Sequence, residues 1–211
     1  REGDAFLDND PYVGNSHAAD HTILVPVFHE GEHFFTVGIK AHQADTGNSQ
    51  PTTYFAAAKD VYQEGTLIFP CVQVQHNFKN NEDIIRMCRR RIRVPDQWFG
   101  DYLAAIGAAR IGERRLKGFI AKYGAEAVRS FVSEWLNYSE RRAADAIKAL
   151  PSGQFVAEAV HDPIDKYLPN GVHIKAGINI DSRTGKIRVD LTDNPDCVDA
   201  GLNLTQATAT M

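Results

Sequence analysis

Thr22-Ile23-Leu24-Val25-Pro26-Val27-Phe28, His29-Glu30-Gly31-Glu32 and Phe34-Phe35-Thr36-Val37-Gly38-Ile39-Lys40-Ala41 together decide the fold. Both outer runs are β-branched, aromatic and apolar, and the gap between them holds a glycine, so they read as the two strands of a β-hairpin. Pro26 cannot donate to a ladder, which places the first strand at an edge or a bulge. The flanks give the hairpin its interest. His17 and Asp20 precede the first strand, and His42 leaves the second with Asp45 three positions on. In an antiparallel pair the start of one strand lies beside the end of the other, so these two His-x-x-Asp units meet at one end of the hairpin.

Five of the eight histidines fall within this stretch. Imidazole nitrogens and carboxylate oxygens are the donors of zinc and manganese sites. His17, Asp20 and His42 are the candidate metal ligands, a facial set that leaves an open position for water or substrate. The same residue types also serve as ordinary hydrogen-bonding groups in polar loops. Asn9, Asp10 and Asp45 are the candidate supporting residues. Asp10 reads either as a carboxylate that orients a ligand imidazole or as a turn former in Asn9-Asp10-Pro11. Asp45 carries the same ambiguity, and His21, His29 and His33 read as solvated.

Beyond the hairpin, residues 46–53 are polar and turn-forming. Tyr54–Tyr62 is expected to be a short helix stopped by Gly65, and Leu67–Val74 a strand. Glu82–Arg91 reads as a helix and Pro95-Asp96 opens a longer one, with Trp98, Tyr102, Ile106, Ala109, Leu116 and Ile120 at roughly helical spacing up to Tyr123-Gly124. Another helix spans Ala125 to Leu150 and stops at Pro151-Ser152-Gly153. Strands are expected over Gln154–Val160, Val172–Ile180 and Lys186–Thr192, with Asp181-Ser182-Arg183-Thr184-Gly185 as a hairpin turn. The fold class is therefore mixed, α/β or α+β: an N-terminal region containing the hairpin, central long helices and C-terminal antiparallel strands. Residues 1–80, 81–152 and 153–211 form three regions, read as parts of one larger domain.

The chain has 211 residues, 43% of them hydrophobic, with a formal net charge of −4, which gives no bulk electrostatic reason to expect nucleic acid or an anionic membrane as partner. No apolar run reaches the ~20 residues that span a bilayer. Cys71, Cys88 and Cys197 are odd in number and far apart, which excludes a cysteine-rich zinc site and points to free thiols in a reducing, cytoplasmic compartment. The basic run Arg86–Arg93 lies at a helix end, where cations favour the dipole and acidic neighbours, so an ion-pair or interface role is expected. The acidic residues Asp190, Asp193, Asp196 and Asp199 lack calcium-loop spacing and read as solvated turns. There is no phosphate loop, dinucleotide fingerprint, serine-nucleophile elbow or H-E-x-x-H. Both ends read as cut from a longer polypeptide.

Several spaced motifs together resemble the hydantoinase B / oxoprolinase family. They are Gly3-Asp4-Ala5-Phe6-Leu7-Asp8-Asn9-Asp10-Pro11-Tyr12, the His17/Asp20 pair, Ala41-His42-Gln43-Ala44-Asp45, Asp60-Val61-Tyr62-Gln63-Glu64-Gly65, Arg93-Val94-Pro95-Asp96, Leu150-Pro151-Ser152-Gly153 and Asp190-Leu191-Thr192-Asp193-Asn194. The resemblance implies an internal piece of the metal-containing subunit of an ATP-dependent cyclic-amide hydrolase of the hydantoinase or 5-oxoprolinase type. It implies a hydantoinase A-type partner that binds ATP and phosphorylates the substrate, and a divalent ion (Zn or Mn) held by His17, Asp20 and His42. It also implies a further aspartate ligand upstream of the Asn-Asp-Pro motif, before Arg1. The family includes α-type subunits of acetone and acetophenone carboxylases, so a ketone carboxylase is the alternative enzyme. A non-catalytic assembly subunit with a purely structural His/Asp cluster is the alternative of another class.

Overall fold

The hairpin forms as its side-chain pattern requires. Asp20–His29 (β2) pairs antiparallel with Glu32–His42 (β3), with Ile23 opposite Ile39 and Val25 opposite Val37. A computed structural model describes residues 1–164 and 166–210. Along β2, His21, Ile23, Val25 and Val27 are buried, whereas Asp20, Thr22 and Leu24 on the opposite face are partly open. Period-two alternation therefore turns one face of the sheet to the core. Glu30 and Gly31 both have positive φ, which closes the turn in the geometry that two-residue hairpin loops favour.

A short strand before the hairpin, Ala5–Asp8 (β1), pairs with β2 on its other side, with Phe6 opposite Leu24 and Asp8 opposite Thr22. β2 is thus interior to the sheet. Pairing with β1 stops at Leu24, so Pro26 sits where β2 is paired only with β3, one residue before a bulge between Val27 and Phe28. The missing N–H at Pro26 therefore leaves no gap in the β1 ladder.

The segment after the hairpin departs from expectation in two places. Only Val61–Glu64 (α1) is helical. Asp60 accepts the Gln63 N–H at 2.7 Å and caps it, and Gly65 ends it in the left-handed region at φ 75°. The strand expected over Leu67–Val74 forms instead at Val72–His76 (β4). Pro70 lacks the N–H a ladder needs, so pairing begins only beyond it. Lys79–Asn80 (β5) completes a sheet of order β3-β2-β1-β4-β5.

Glu82–Arg91 (α2) and Pro95–Tyr123 (α3) then supply apolar stripes. Asn81 caps α2 through the Asp83 and Ile84 N–H groups, and Arg89, Arg90 and Arg91 occupy its last turn, where cations favour the helix dipole. Ile85, Cys88, Trp98, Tyr102, Ala105, Ile106 and Ala109 form one core cluster with Ala5, Leu7, Ile23, Val25, Phe69 and Val74 of the sheet side. A Cβ at Gly112 would stand 2.8 Å from Val37 Cγ1, so glycine there lets α3 lie close against β3. The Arg86–Arg93 run is spent on structure: Arg86 pairs with Asp83, Arg89 with Asp96 and Arg93 with Asp45.

By internal contact the chain divides into two compact units, residues 1–119 with 200–211, and residues 120–199. The first contains the five-stranded sheet, α2, most of α3 and a final short helix, Gln206–Thr210 (α5). The second contains Ala125–Lys148 (α4) and the antiparallel sheet Gly153–His161 (β6), Val172–Asp181 (β7) and Lys186–Asp190 (β8), in the order β6-β7-β8. Asp181 accepts N–H bonds from Arg183 and Thr184 and the Thr184 hydroxyl, which sets the β7–β8 turn and holds the Asp181 carboxyl below its ordinary range. Among the described residues no helix is long and apolar enough to cross a membrane.

Candidate metal centre

The site is built where β2 begins and β3 ends. Asp20 and His42 are direct cross-strand partners, so register alone places their side chains on one face. His17 reaches the same point from the loop that connects β1 to β2. That loop is held by two buried asparagines. Asn9 Nδ2 donates to the carbonyls of Ala18 (2.8 Å) and Leu67 (2.9 Å), and Asn9 Oδ1 accepts the Phe69 N–H (2.7 Å). Asn15 Nδ2 donates to the carbonyls of His17 (3.0 Å) and Asp20 (2.6 Å), which fastens the His-x-x-Asp turn at both ends.

Three donor atoms converge. His17 Nε2 lies 3.1 Å from His42 Nδ1 and 3.4 Å from Asp20 Oδ1, and His42 Nδ1 lies 3.1 Å from the same Asp20 oxygen. Ions bound at about 2.0–2.2 Å keep neighbouring ligand atoms roughly 2.8–3.6 Å apart, depending on geometry. The triangle has the size of one face of such a polyhedron. The outer nitrogens fit as well: His17 Nδ1 is 2.9 Å from Ser16 Oγ and His42 Nε2 is 3.2 Å from Thr53 Oγ1. We assign both outer nitrogens as N–H donors to these hydroxyls, which turns the inner lone pairs toward the shared point. Ligand imidazoles are commonly fixed in this way. With those tautomers the three inner donor atoms could hold one cation.

Burial holds the His17 imidazole below its ordinary pKa, and the charges of His42 and Lys40 act in the same direction against Asp20. Tyr54 closes one side of the cluster. Its ring stacks on His17 (centroids 4.9 Å apart) and its hydroxyl oxygen lies 2.8 Å from His17 Nε2. No sequence signal marks Tyr54, Thr53 or Ser16. They belong to irregular segments that neither periodicity nor capping patterns reach.

The other candidates fall elsewhere. Asp45 is buried and bidentate to Arg93, accepting its backbone N–H (2.7 Å) and its guanidinium (2.7 Å), so it anchors the segment after β3 to the start of α3. Asp10 accepts the Tyr12 N–H at 2.9 Å, the turn-forming arrangement. Asn9 supports the loop as described. His21, expected to be solvated, is buried: it follows the core-facing alternation of β2, and its Nδ1 accepts the Trp98 indole N–H at 3.4 Å. Burial pushes its pKa down to about 4, so it is neutral.

A model of the hydantoinase B/oxoprolinase family matches residues 1–211. The chain belongs to the hydantoinase B/oxoprolinase family. A protein of a Pseudomonas species, named as the B-type subunit of a D-/L-hydantoinase, is 34% identical over 206 residues, covering 96% of this chain and 35% of that protein. The acetone carboxylase alpha subunit of Xanthobacter autotrophicus is 28% identical over 147 residues, covering 70% of this chain and 19% of that subunit. The crystal structure of the ATP-dependent caprolactamase from Pseudomonas jessenii superposes with a TM-score of 0.88 at 27% identity, covering all of this chain and 35% of that one. That likeness agrees with the mixed α+β architecture of this chain. The chain spans about a third of the length of the first relative and of the caprolactamase. Both the hydantoinase and the acetone carboxylase relatives are named as subunits.

Proposed function

We propose that this chain is part of the metal-dependent subunit of an ATP-dependent cyclic-amide hydrolase of the hydantoinase or 5-oxoprolinase type. It would act on a substrate phosphorylated by a hydantoinase A-type partner subunit. The observation that carries the reading is the convergence of His17 Nε2, Asp20 Oδ1 and His42 Nδ1 with spacings of 3.1–3.4 Å, in a chain of this family. Two neutral imidazoles and one carboxylate suit a divalent ion such as Zn or Mn. When bound, that ion supplies Lewis-acid stabilisation of negative charge developing on a substrate oxygen.

The chain's own residues do the positioning. Ser16 and Thr53 hold the two imidazoles in the tautomers that face inward. Asn15 fixes the spacing of His17 and Asp20 through their carbonyls. His42, with 43% of its side chain exposed, leaves one side of the cluster open to a small molecule. Tyr54 walls another side with an aromatic face and a hydroxyl.

The test is ATP turnover by the full-length protein assembled with its A-type partner. Turnover stimulated by hydantoin or 5-oxoproline, and lost in Asp20→Asn, supports the reading. Stimulation by acetone plus bicarbonate instead replaces it with the ketone carboxylase reading, which the acetone carboxylase relative makes the specific rival. Metal-free protein with no substrate-dependent turnover leaves the assembly role standing.

A further inference from the structure

We infer that Lys40 is an oxyanion anchor: the group received beside the triad carries a phosphoryl or carboxylate that Lys40 binds. The inference rests on the reading of His17, Asp20 and His42 as a cation site.

Lys40 precedes His42 by two positions on β3, so both side chains leave the same face of the strand, about 6.8 Å apart along it. Register agrees with this arrangement: Asp20 and His42 form one cross-strand row, and Asp8, Thr22 and Lys40 form the next. Lys40 is exposed, yet its ammonium is aimed, because Nζ donates to Asn15 Oδ1 at 2.6 Å. Asn15 is only 1% exposed. Its amide group holds the His17 and Asp20 carbonyls at the same time. One buried side chain thus ties the lysine and the His-x-x-Asp turn into a single unit.

The charges then select the ligand. An ammonium has three N–H donors, and Asn15, a neutral partner, takes one. Among the described residues no ion pair involves Lys40, so two of its donors are left for a ligand. The acid that faces it across Thr22 is Asp8, which is buried and accepts the Cys71 N–H at 3.2 Å. A divalent ion on two neutral imidazoles, Asp20 and the further aspartate that the resemblance implies carries no surplus negative charge, and with Asp8 buried the exposed Lys40 ammonium is the positive group beside it. Such a surface recruits an anion with several acceptor oxygens, through charge-assisted hydrogen bonds.

The experiment is calorimetric titration of the full-length complex, loaded with Zn, using inorganic phosphate and, separately, acetate. Metal content and thermal unfolding are measured in parallel for wild type, K40M and K40R. Losing a charged hydrogen bond predicts anion binding about tenfold or more weaker in K40M, with K40R much closer to wild type. K40M also leaves the buried Asn15 Oδ1 without its donor, so its unfolding temperature should fall by a few degrees. Unchanged metal content in the folded variant separates anchoring from a role in holding the His-x-x-Asp turn. Sensitivity confined to phosphate identifies a phosphoryl group, and sensitivity confined to acetate a carboxylate. Wild type that binds metal but neither anion, or K40M that binds both as wild type does, overturns the inference and leaves the metal reading intact. Wild type that binds no metal removes both.

Discussion

Asn9→Ala tests whether the loop that presents His17 and Asp20 is held as described. Asn9 is fully buried and makes three side-chain hydrogen bonds, to the Ala18 and Leu67 carbonyls and from the Phe69 N–H. Truncation leaves these three backbone groups without the partner that joins the loop to the 67–69 segment. At about 1 kcal/mol net per bond the loss is about 3 kcal/mol. For a unit of this size that corresponds to a fall in Tm of roughly 6–12 °C. Asn9→Asp is no rescue, because it keeps the acceptor for Phe69 but sets an oxygen against two carbonyl oxygens. Differential scanning calorimetry of the full-length protein reads the stability, and competition with a chromophoric chelator reads the metal affinity. Both should fall in both variants. Asn9→Ala with Tm within a degree or two of wild type would refute the reasoning, since three buried backbone groups cannot lose their partner without cost.

Other predictions follow from the same contacts. Asp45→Asn weakens the bidentate pair with Arg93 and lowers stability by about 1–3 kcal/mol, but metal stoichiometry by elemental analysis is unchanged. Trp98→Ala removes a ring that is 2% exposed in the core and costs about 3–5 kcal/mol in denaturant unfolding. Cys88 is fully buried and its thiol is pushed up to about 12 by burial, so it stays unlabelled by a thiol reagent until the protein is denatured. Cys71 and Cys197 are exposed and label in the native protein; Cys71 does so slowly, because burial and the Asp8 carboxylate raise its pKa.

Much of the fold is legible in the sequence because its signals are periodic. β2, β3, α2 and α3 follow from alternation, helical spacing and caps, and each forms close to the expected bounds. The departures have physical causes. Tyr54–Tyr62 reads as a helix only if Asp60 is ignored as a strong N-cap residue, and the helix starts just after it. Pro70 inside the expected strand moves its start to Val72. β1 escapes pattern reading because four residues ending in Asp8 are too few to show alternation. His21 reads as solvated from its residue type, although its register with Ile23 and Val25 already places it on the core face. At the site, the meeting of Asp20 with His42 is legible from the hairpin. The roles of Asn15, Thr53 and Tyr54 are not, since they depend on how irregular loops fold back over the sheet.

Whether His17, Asp20 and His42 hold a divalent ion is decided by elemental analysis of the purified full-length protein and its His17→Ala, Asp20→Asn and His42→Ala variants, each checked for folding. About one Zn or Mn per chain is expected in wild type, with loss of that metal in each variant, because each removes one of the donors that converge on the ion. A folded wild-type protein without stoichiometric metal, or variants that keep it, would contradict the claim.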